Sequence, residues 1–358
     1  MELGNEIIAG VSINNVTGIT GKRYELRDLM RAAREAEAMG FDGVWVHDGM
    51  TGRRTTAAYD PTAVLTAVAA QTERIRLCTG ILIPHIRNPV HFAQEWATLY
   101  EVSEGRAILG AGAGGGKGTI HRRQYGSLAA VRHGTDIDPT LLYRRRARIF
   151  GDSLHVVRRL WSEDKVSYDG EFHKFDEITL GHARPATMPP VLVAAGMYIP
   201  KEGAGAHIAM WNKNIAGTFH VGPIAQKSVV DHGEGWLTNH CTPDELAIKA
   251  KDIEAAGEAK YPGRTYARAL NCFMNVDDDP KKAWQGVKDH LTDFHGPPVY
   301  DDLVDRWNAA GSGEQVAAKI NDFIDKGVTI FQFVVASSDQ FGMMKRIAEE
   351  VLPRLKQA

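Results

Sequence analysis

Short apolar runs of strand length alternate with longer stretches of helical period along most of the chain. This alternation is typical of βαβ units, in which helices connect parallel strands. Residues 7–13 predict a first strand, residues 24–39 carry an apolar stripe at helical spacing, and Gly40 ends that helix. Further strands are predicted at residues 44–46, 75–81, 106–110, 191–195, 236–237, 269–275 and 329–335.

Eight strands with helices after them predict a closed (β/α)8 barrel rather than an open sheet. One such barrel domain can account for the whole chain, residues 1–358. Three stretches are longer than simple connections in a compact domain, so we interpret them as excursions at the barrel rim: residues 111–140, 197–221 and 295–311. Residues 295–311 are predicted to form a loop. Residues 197–221 are predicted to form a lid that closes over a bound cofactor.

Composition narrows the class of protein. Apolar residues make up 44% of the chain and charged residues 24%, which are ordinary values for a globular protein. A net charge of -2 provides no general field that would attract nucleic acid or a membrane surface. The three cysteines form no CxxC pair, so neither disulfides nor a thiolate zinc site is predicted. The sequence therefore predicts a cytoplasmic protein with no nucleic-acid or membrane partner.

A glycine-rich segment follows the fourth predicted strand, where residues 109–117 have the sequence LGAGAGGGK. It contains GxGxxG between Gly110 and Gly115, but a dinucleotide fingerprint must open a helix, and here a basic, proline-containing loop follows. A Walker loop is excluded because Gly118 follows Lys117. We interpret the segment as bare backbone that lets a flat ring approach the strand end. A flexible loop is the alternative.

His47 and Asp48 follow the second strand, at the end of the barrel where enzymes of this fold carry their chemistry. An imidazole there can donate a hydrogen bond to a ring carbonyl or transfer a proton, because its ordinary pKa lies near neutrality. A hydrogen-bonded pair that only anchors the loop is the alternative. Both residues are therefore candidate catalytic residues.

Two further groups stand at predicted strand or helix ends. His85, Arg87 and Asn88 follow the third strand, where they would contact a substrate or cap the next helix. Gly222 and Pro223 start a helix directly after a loop, and the free amides of such a helix start suit a phosphate group. An ordinary helix start is the alternative for that pair.

Taken in order along the chain, these segments resemble the luciferase-like monooxygenase superfamily, including its deazaflavin-dependent branch typified by methylene-tetrahydromethanopterin reductase. The segments EAMGFDGVWV at 37–46 and SEGRAILGAG at 103–112 carry much of the resemblance. Other matching segments are residues 72–77, 87–89, 97–99, 154–161, 168–170, 190–196, 222–223 and 231–236.

The resemblance implies a reduced flavin-type cofactor, either coenzyme F420 or FMN, at the C-terminal ends of the strands, with a small organic substrate. It implies no metal, and it implies a homodimer or higher homo-oligomer. Cofactor contacts would come from Thr79, Gly80, Gly112, Ala113, Gly114, Ala195 and Gly196, with Gly222 and Pro223 near the phosphate. Two departures weaken the phosphate assignment: the superfamily usually has Ala-Asp-Gly at residues 233–235 and usually lacks residues 197–221.

Several functions stay open at this point. Hydride transfer from a reduced deazaflavin is preferred, because of residues 87–89 and the glycine-rich segment. The alternative is an FMN-dependent monooxygenase that inserts one oxygen atom from O2, and a non-catalytic flavin-binding relative is a more remote one. A metal-dependent barrel hydrolase is disfavoured because the chain contains no HxH or HExxH motif.

Overall fold

The computed structural model describes residues 3–4, 6–17, 25–49, 57–114, 139–201, 215–295 and 298–357. Eight parallel strands pair in sequence order, and the pairing of the first strand with the last closes them into a barrel. The predicted (β/α)8 barrel is therefore confirmed. The strands are β1 (Ile8–Ser12), β2 (Gly43–Val46), β3 (Arg76–Thr79), β4 (Ala107–Ala111), β5 (Val191–Ala194), β6 (Gly235–Thr238), β7 (Ala267–Val276) and β8 (Ile330–Val335).

Helices connect these strands on the outside of the barrel. Their starts follow local sequence: Asp60 accepts a hydrogen bond from Ala63 before α2, and Thr242 forms a capping box with Glu245 before α6. The helices are α1 (Leu26–Ala38), α2 (Pro61–Ala69), α3 (Pro89–Val102), α4 (Pro139–Ser162), α5 (Pro223–His232), α6 (Pro243–Lys260), α7 (Pro280–His295), α8 (Asp301–Trp307), α9 (Gly313–Ile324) and α10 (Gln340–Arg346). Among the described residues, no helix is both long and apolar enough to cross a membrane.

Strand alternation divides the barrel into an inner and an outer core. One layer of the inner core takes a buried side chain from each strand, while the intervening residues pack outward against the helices. This layer contains Ile8, Trp45, Cys78, Ile108, Leu192, Leu237, Ala269 and Ile330. Counting on by two from these residues, the same alternation turns His47, Gly80 and Gln332 inward near the C-terminal ends of β2, β3 and β8.

The excursions differ in part from their predicted form. Of residues 111–140, the segment 115–138 lies outside the described residues, and α4 begins at Pro139. Of the predicted lid, residues 197–221, the segment 202–214 also lies outside the described residues. The two ends of the predicted lid pair as short antiparallel strands, Met197–Tyr198 and Phe219–His220.

The prediction of a loop over residues 295–311 is wrong. The structure places α8 there, followed by a short strand, Asn308–Gly311, which pairs in parallel with the end of β7. We call α7, α8 and this strand the rim insertion. It has its own apolar core, in which Val304 and Trp307 pack against Phe273 of β7. Helix α8 has only seven residues, too few to give a clear helical period in the sequence.

Candidate active site

His47 occupies the C-terminal end of β2, and its ring hydrogen-bonds to the backbone of Gly80. The N–H of Gly80 already donates to the carbonyl of Val46 at 2.9 Å, so the ring must donate to the Gly80 carbonyl. Burial lowers the pKa of His47 to about 4, although the hydrogen bond to Gly80 opposes this. His47 is therefore a neutral imidazole near pH 7, and its second ring nitrogen is a proton acceptor.

Asn15 fixes the backbone around His47. The Asn15 Oδ1 accepts a hydrogen bond from the His47 N–H at 2.8 Å, and its Nδ2 donates to the His47 carbonyl at 2.7 Å and to the Tyr59 carbonyl at 3.0 Å. The side chain of Asn15 is fully buried. Sequence reasoning did not identify this residue, although a polar residue just after β1 was an available signal.

Gln332 fixes Gly80 from the opposite side. Its Nε2 donates to the Ser12 hydroxyl at 3.1 Å and to the Gly80 carbonyl at 3.4 Å. A Cβ at Gly80 would lie 2.0 Å from the Gln332 Oε1, so any other residue at this position would displace the Gln332 side chain. The Gly80–Ile81 peptide is cis. The Gly80 carbonyl that receives the His47 ring is thus held in place by a side chain that the sequence analysis missed.

Asp48 forms a buried ion pair with Arg87. The two side chains meet at 2.6 and 3.1 Å, and Asp48 Oδ2 also accepts a hydrogen bond from the Ile83 N–H at 2.9 Å. Burial alone would lower the pKa of Arg87, but the hydrogen bonds and charges of Asp48 and Asp60 raise it overall. The Asp48 side chain is only 1% exposed. Both carboxylate oxygens of Asp48 accept hydrogen bonds from residues that follow β3. This geometry matches the alternative in which Asp48 only anchors the loop.

The residues beyond β3 separate into different roles. Asn88 caps α3 by accepting from the N–H groups of Val90 and His91, which is the capping alternative of the sequence analysis. His85 is fully buried, and its ring lies 5.8 Å from that of Phe150. Asn88 therefore has a structural role, whereas a substrate contact from His85 stays a prediction.

Thr79 and the glycines of β4 pack against neighbouring strands. The Thr79 hydroxyl is buried and donates to the Gly110 carbonyl at 2.9 Å. A Cβ at Gly112 would lie 2.5 Å from the Ile81 Cδ1 and 3.1 Å from the Ala194 Cβ. Ile81 and Ala194 therefore occupy the space that a Gly112 side chain would need, and the approach of a cofactor ring to this backbone stays a prediction. Ala113 packs partly against the outer core, and the Gly114 carbonyl accepts a hydrogen bond from Arg146 at 3.2 Å.

Gly112→Val should lower the free energy of unfolding by about 1–3 kcal/mol, the usual range for overpacking a tight site. The added methyl groups must displace Ile81 or Ala194. Urea unfolding of the wild type and the variant measures the effect. Gly222→Ala is the control, because its Cβ would meet only the His220 Nε2, at 3.9 Å. Unchanged stability together with weakened cofactor binding would instead mean that the valine points toward the ligand.

The remaining candidate cofactor residues lie after β5 and at the start of α5. The Ala195 carbonyl accepts from the Trp236 indole at 2.7 Å. Gly196 has a φ of +96°, which favours glycine, and a Cβ there would lie 2.6 Å from Phe219. Gly222 and Pro223 begin α5 as predicted, and no side chain caps that start. Phosphate binding at these amides stays a prediction.

Helix α7 brings a second histidine to this end of the barrel. His290 is 2% exposed and packs against Phe273 with ring centroids 5.6 Å apart. One helical turn further on, Phe294 packs against the His47 ring at 5.7 Å. Burial, and then the charge of His47, lower the pKa of His290 to about 4. No sequence motif marked this residue.

Several buried polar atoms around the barrel mouth have no hydrogen-bond partner within the part of the chain that the structure describes. They include the Asn14 Nδ2, the Gln332 Oε1 and the His290 Nδ1. Buried polar groups are usually satisfied, so such atoms indicate a polar ligand or water. A deazaflavin or flavin ring, which carries carbonyl and N–H groups, fits this donor and acceptor set. Within the described ranges, no group of three or more His, Cys, Asp or Glu side chains could hold a metal ion.

A cavity of about 730 Å³ lies at the opposite end of the barrel, near the C-termini of α4, α5 and α6. His232 and Arg158 line it, and Arg158 pairs with Glu234 at 2.8 Å and donates to the His232 carbonyl. The positive charge of Arg158 is thus balanced by the carboxylate of Glu234 and by the negative end of the helix dipole of α5. The C-terminal rim therefore stays the predicted site of the reaction, as in other barrels of this fold.

The buried histidines should make the protein less stable in mild acid. Burial lowers the pKa of His232, like those of His47 and His290, from 6.5 to about 4. Between these values the unfolded chain binds protons that the folded chain does not, so the free energy of unfolding falls as the pH drops from 6.5 toward 4. At pH 5 each histidine accounts for about 2 kcal/mol of this loss.

His232→Gln tests this effect away from the rim. Urea unfolding at pH 7 and pH 5 should show that the variant loses about 2 kcal/mol less than the wild type on acidification. His91→Gln is the control, since the His91 side chain is 71% exposed. An identical pH dependence in the wild type and His232→Gln would contradict the prediction.

A closed parallel barrel with buried polar groups gathered at the C-terminal rim defines a barrel of the enzyme type. The luciferase-like monooxygenase family model matches residues 9–211, more than half of the chain. The protein belongs to this family, which confirms the resemblance found in its sequence.

One relative and two solved structures align with nearly the whole chain at low sequence identity. An F420-dependent glucose-6-phosphate dehydrogenase from Kineococcus radiotolerans is 26% identical over 345 residues, covering 90% of this chain and 91% of that protein. Two solved structures share the fold. An F420-dependent secondary alcohol dehydrogenase with an F420-acetone adduct has a TM-score of 0.73 at 19% identity, covering 98% of this chain and 99% of that one. The FMN complex of the oxygenating constituent of 3,6-diketocamphane monooxygenase from Pseudomonas putida has a TM-score of 0.68 at 15% identity, covering 98% and 99%.

Proposed function

We propose that this protein is an oxidoreductase that transfers a hydride between coenzyme F420 and a small organic substrate. The observation that carries the proposal is His47, a neutral imidazole at the barrel rim whose second ring nitrogen can accept a proton. The F420 dependence of the relative from Kineococcus, which aligns over nearly its whole length, supports this choice of cofactor. Relatives named F420-dependent glucose-6-phosphate dehydrogenase also occur in Amycolatopsis mediterranei and Mycobacterium avium.

The protein's contribution is to position groups and to handle a proton. F420, when bound, supplies a two-electron hydride acceptor or donor. When an alcohol is oxidised, the hydrogen of its C–H bond would leave with the electron pair as a hydride, for which the bound cofactor would be the acceptor. The free ring nitrogen of His47 takes the O–H proton, and the C–O bond becomes C=O. Reduction of a carbonyl compound runs through the same transfers in reverse. Gln332 and Asn15 keep the imidazole in position through Gly80 and the His47 backbone.

Residues at the C-terminal rim would hold the cofactor. Asp48 acts in this scheme as a positioning residue, because its ion pair joins the segments after β2 and β3. Thr79 acts similarly by holding β3 to β4. The backbone contacts would come from Gly80, Gly112, Ala113, Gly114, Ala195 and Gly196, with the phosphate at Gly222 and Pro223.

Binding and turnover together test the proposal. The purified protein is titrated with F420 and with FMN, and each complex is then mixed anaerobically and in air with a panel of simple alcohols, aldehydes and ketones. F420 binding and a change in its absorbance without oxygen are expected. FMN binding with oxygen uptake and an oxygenated product would favour the monooxygenase alternative. Binding of neither cofactor would refute both functions and leave no reaction for His47.

We also propose that the protein acts as a homodimer or higher homo-oligomer in the cytoplasm. The family resemblance supports the assembly. Cys78, Cys241 and Cys272 are all buried free thiols, which suits a reducing compartment. Burial raises the pKa of Cys272 to about 12, so this thiol is unreactive at neutral pH. Light scattering of the purified protein measures the assembly, and a monomer at all concentrations would contradict it.

A further inference from the structure

The rim insertion presents two faces of α7 to the barrel. Val287 and Leu291 pack into the apolar core of the insertion. His290 and Phe294 are also one turn apart, and they form the neighbouring face, where Phe294 contacts His47. The helix therefore directs one polar side chain, His290, toward the rim that His47 occupies.

We propose that His290 is a second substrate-contacting residue, whose Nδ1 hydrogen-bonds to the same substrate oxygen on which His47 acts. This inference rests on the proposed function and narrows it to substrates with a hydroxyl or carbonyl oxygen. It assigns a role in the reaction to the rim insertion, of which the sequence analysis treated residues 295–311 as a loop.

A purely structural role does not account for His290. A histidine buried for packing alone usually satisfies its ring nitrogens within the protein, because a buried polar group without a hydrogen bond destabilises the fold. Among the described residues the His290 Nδ1 has no such partner, although the residue is only 2% exposed. Its neighbour on the other side is Phe273, which offers no hydrogen bond.

The chemistry suits a neutral imidazole. Burial keeps His290 uncharged near neutral pH, so one ring nitrogen carries a proton and can donate. While an alcohol loses its C–H electron pair to the cofactor and its O–H proton to His47, negative charge builds on the oxygen. A hydrogen bond donated by His290 to that oxygen strengthens as the charge develops. In the reverse direction the same bond polarises the carbonyl that accepts the hydride.

Variants at position 290 separate hydrogen bonding from packing. His290→Phe keeps a ring but removes the hydrogen bond, and kcat/KM should fall by about ten to a thousandfold. His290→Asn restores a donor near the position of Nδ1 and should recover about tenfold of that loss. The F420 dissociation constant and the melting temperature should change little in His290→Asn. Asp289→Asn, which alters an exposed neighbour on the same helix, is the matched control and should leave kcat/KM unchanged.

A measurement without turnover completes the test. In protein labelled with nitrogen-15 at histidine, added acetone should shift the imidazole signals that disappear in the His290→Phe and His47→Ala variants. Normal F420 binding and turnover with an unchanged kcat/KM in His290→Phe would overturn this inference and leave the proposed function standing. If F420 does not bind, the proposed function fails, and the acetone titration alone decides: no shift at His290 overturns the inference, and a shift supports it.

Discussion

Replacing His47 with alanine should lower kcat/KM by about ten to a thousandfold, the range expected for loss of one proton-transfer group. The fold should persist, because Asn15 bonds to the backbone of His47, which alanine retains. Anaerobic F420 assays give kcat/KM, and circular dichroism with thermal melting tests the fold. His47→Gln should stay similarly impaired, since an amide cannot accept the substrate proton at neutral pH.

His91→Ala provides the control for His47→Ala, because the His91 side chain is exposed on α3 and should not affect turnover. The pKa of about 4 adds a second check: His47 is already deprotonated well above that value, so wild-type kcat/KM should not fall as the pH drops from 8 to 6 on account of this group. Unchanged turnover in His47→Ala would remove the residue from the reaction and leave it as a loop anchor.

The barrel could be predicted because its signals are local. Each strand is a short apolar run, and helix starts such as Asp60-Pro61 and Thr242-Pro243 carry their caps beside them in sequence. Helix α8 was missed because its fold depends on distant partners: Trp307 is buried against Phe273, and its indole donates to Asn271 at 2.8 Å. Seven residues held by tertiary contacts leave little periodicity to detect.

The candidate site shows the same division. His47 was predicted from its position at a strand end, a local property. Gln332 reaches Gly80 across 252 residues of sequence, and His290 reaches the rim only through the packing of α7. The glycine-rich segment was ambiguous for another reason. A glycine can make room for a ligand or for a neighbouring strand, and the sequence alone does not distinguish the two. Only the distances around Gly112 show that Ile81 and Ala194 occupy that space.

Asp48→Ala should lower the free energy of unfolding by about 3–5 kcal/mol, the usual effect of breaking one side of a buried ion pair. The variant leaves Arg87, whose side chain is 13% exposed, without its principal counter-charge, and it removes the acceptor of the Ile83 N–H. Urea unfolding at pH 7 measures the loss. Asp169→Ala is the matched control: its pair with Lys174 is 75% exposed on both sides, and such pairs contribute about 0–1 kcal/mol.

A second substitution separates the effect of the uncompensated Arg87 charge from a requirement for the Asp48 carboxylate. The double variant Asp48→Ala/Arg87→Met removes both charges of the ion pair. Because no charge of the pair is then buried alone, part of the lost free energy of unfolding should return. If the loss of activity in Asp48→Ala comes only from the uncompensated charge of Arg87, kcat/KM should recover along with stability. A double variant that regains stability while kcat/KM stays at the level of Asp48→Ala would show that turnover requires the carboxylate itself, as the link between the segments after β2 and β3 or in the reaction.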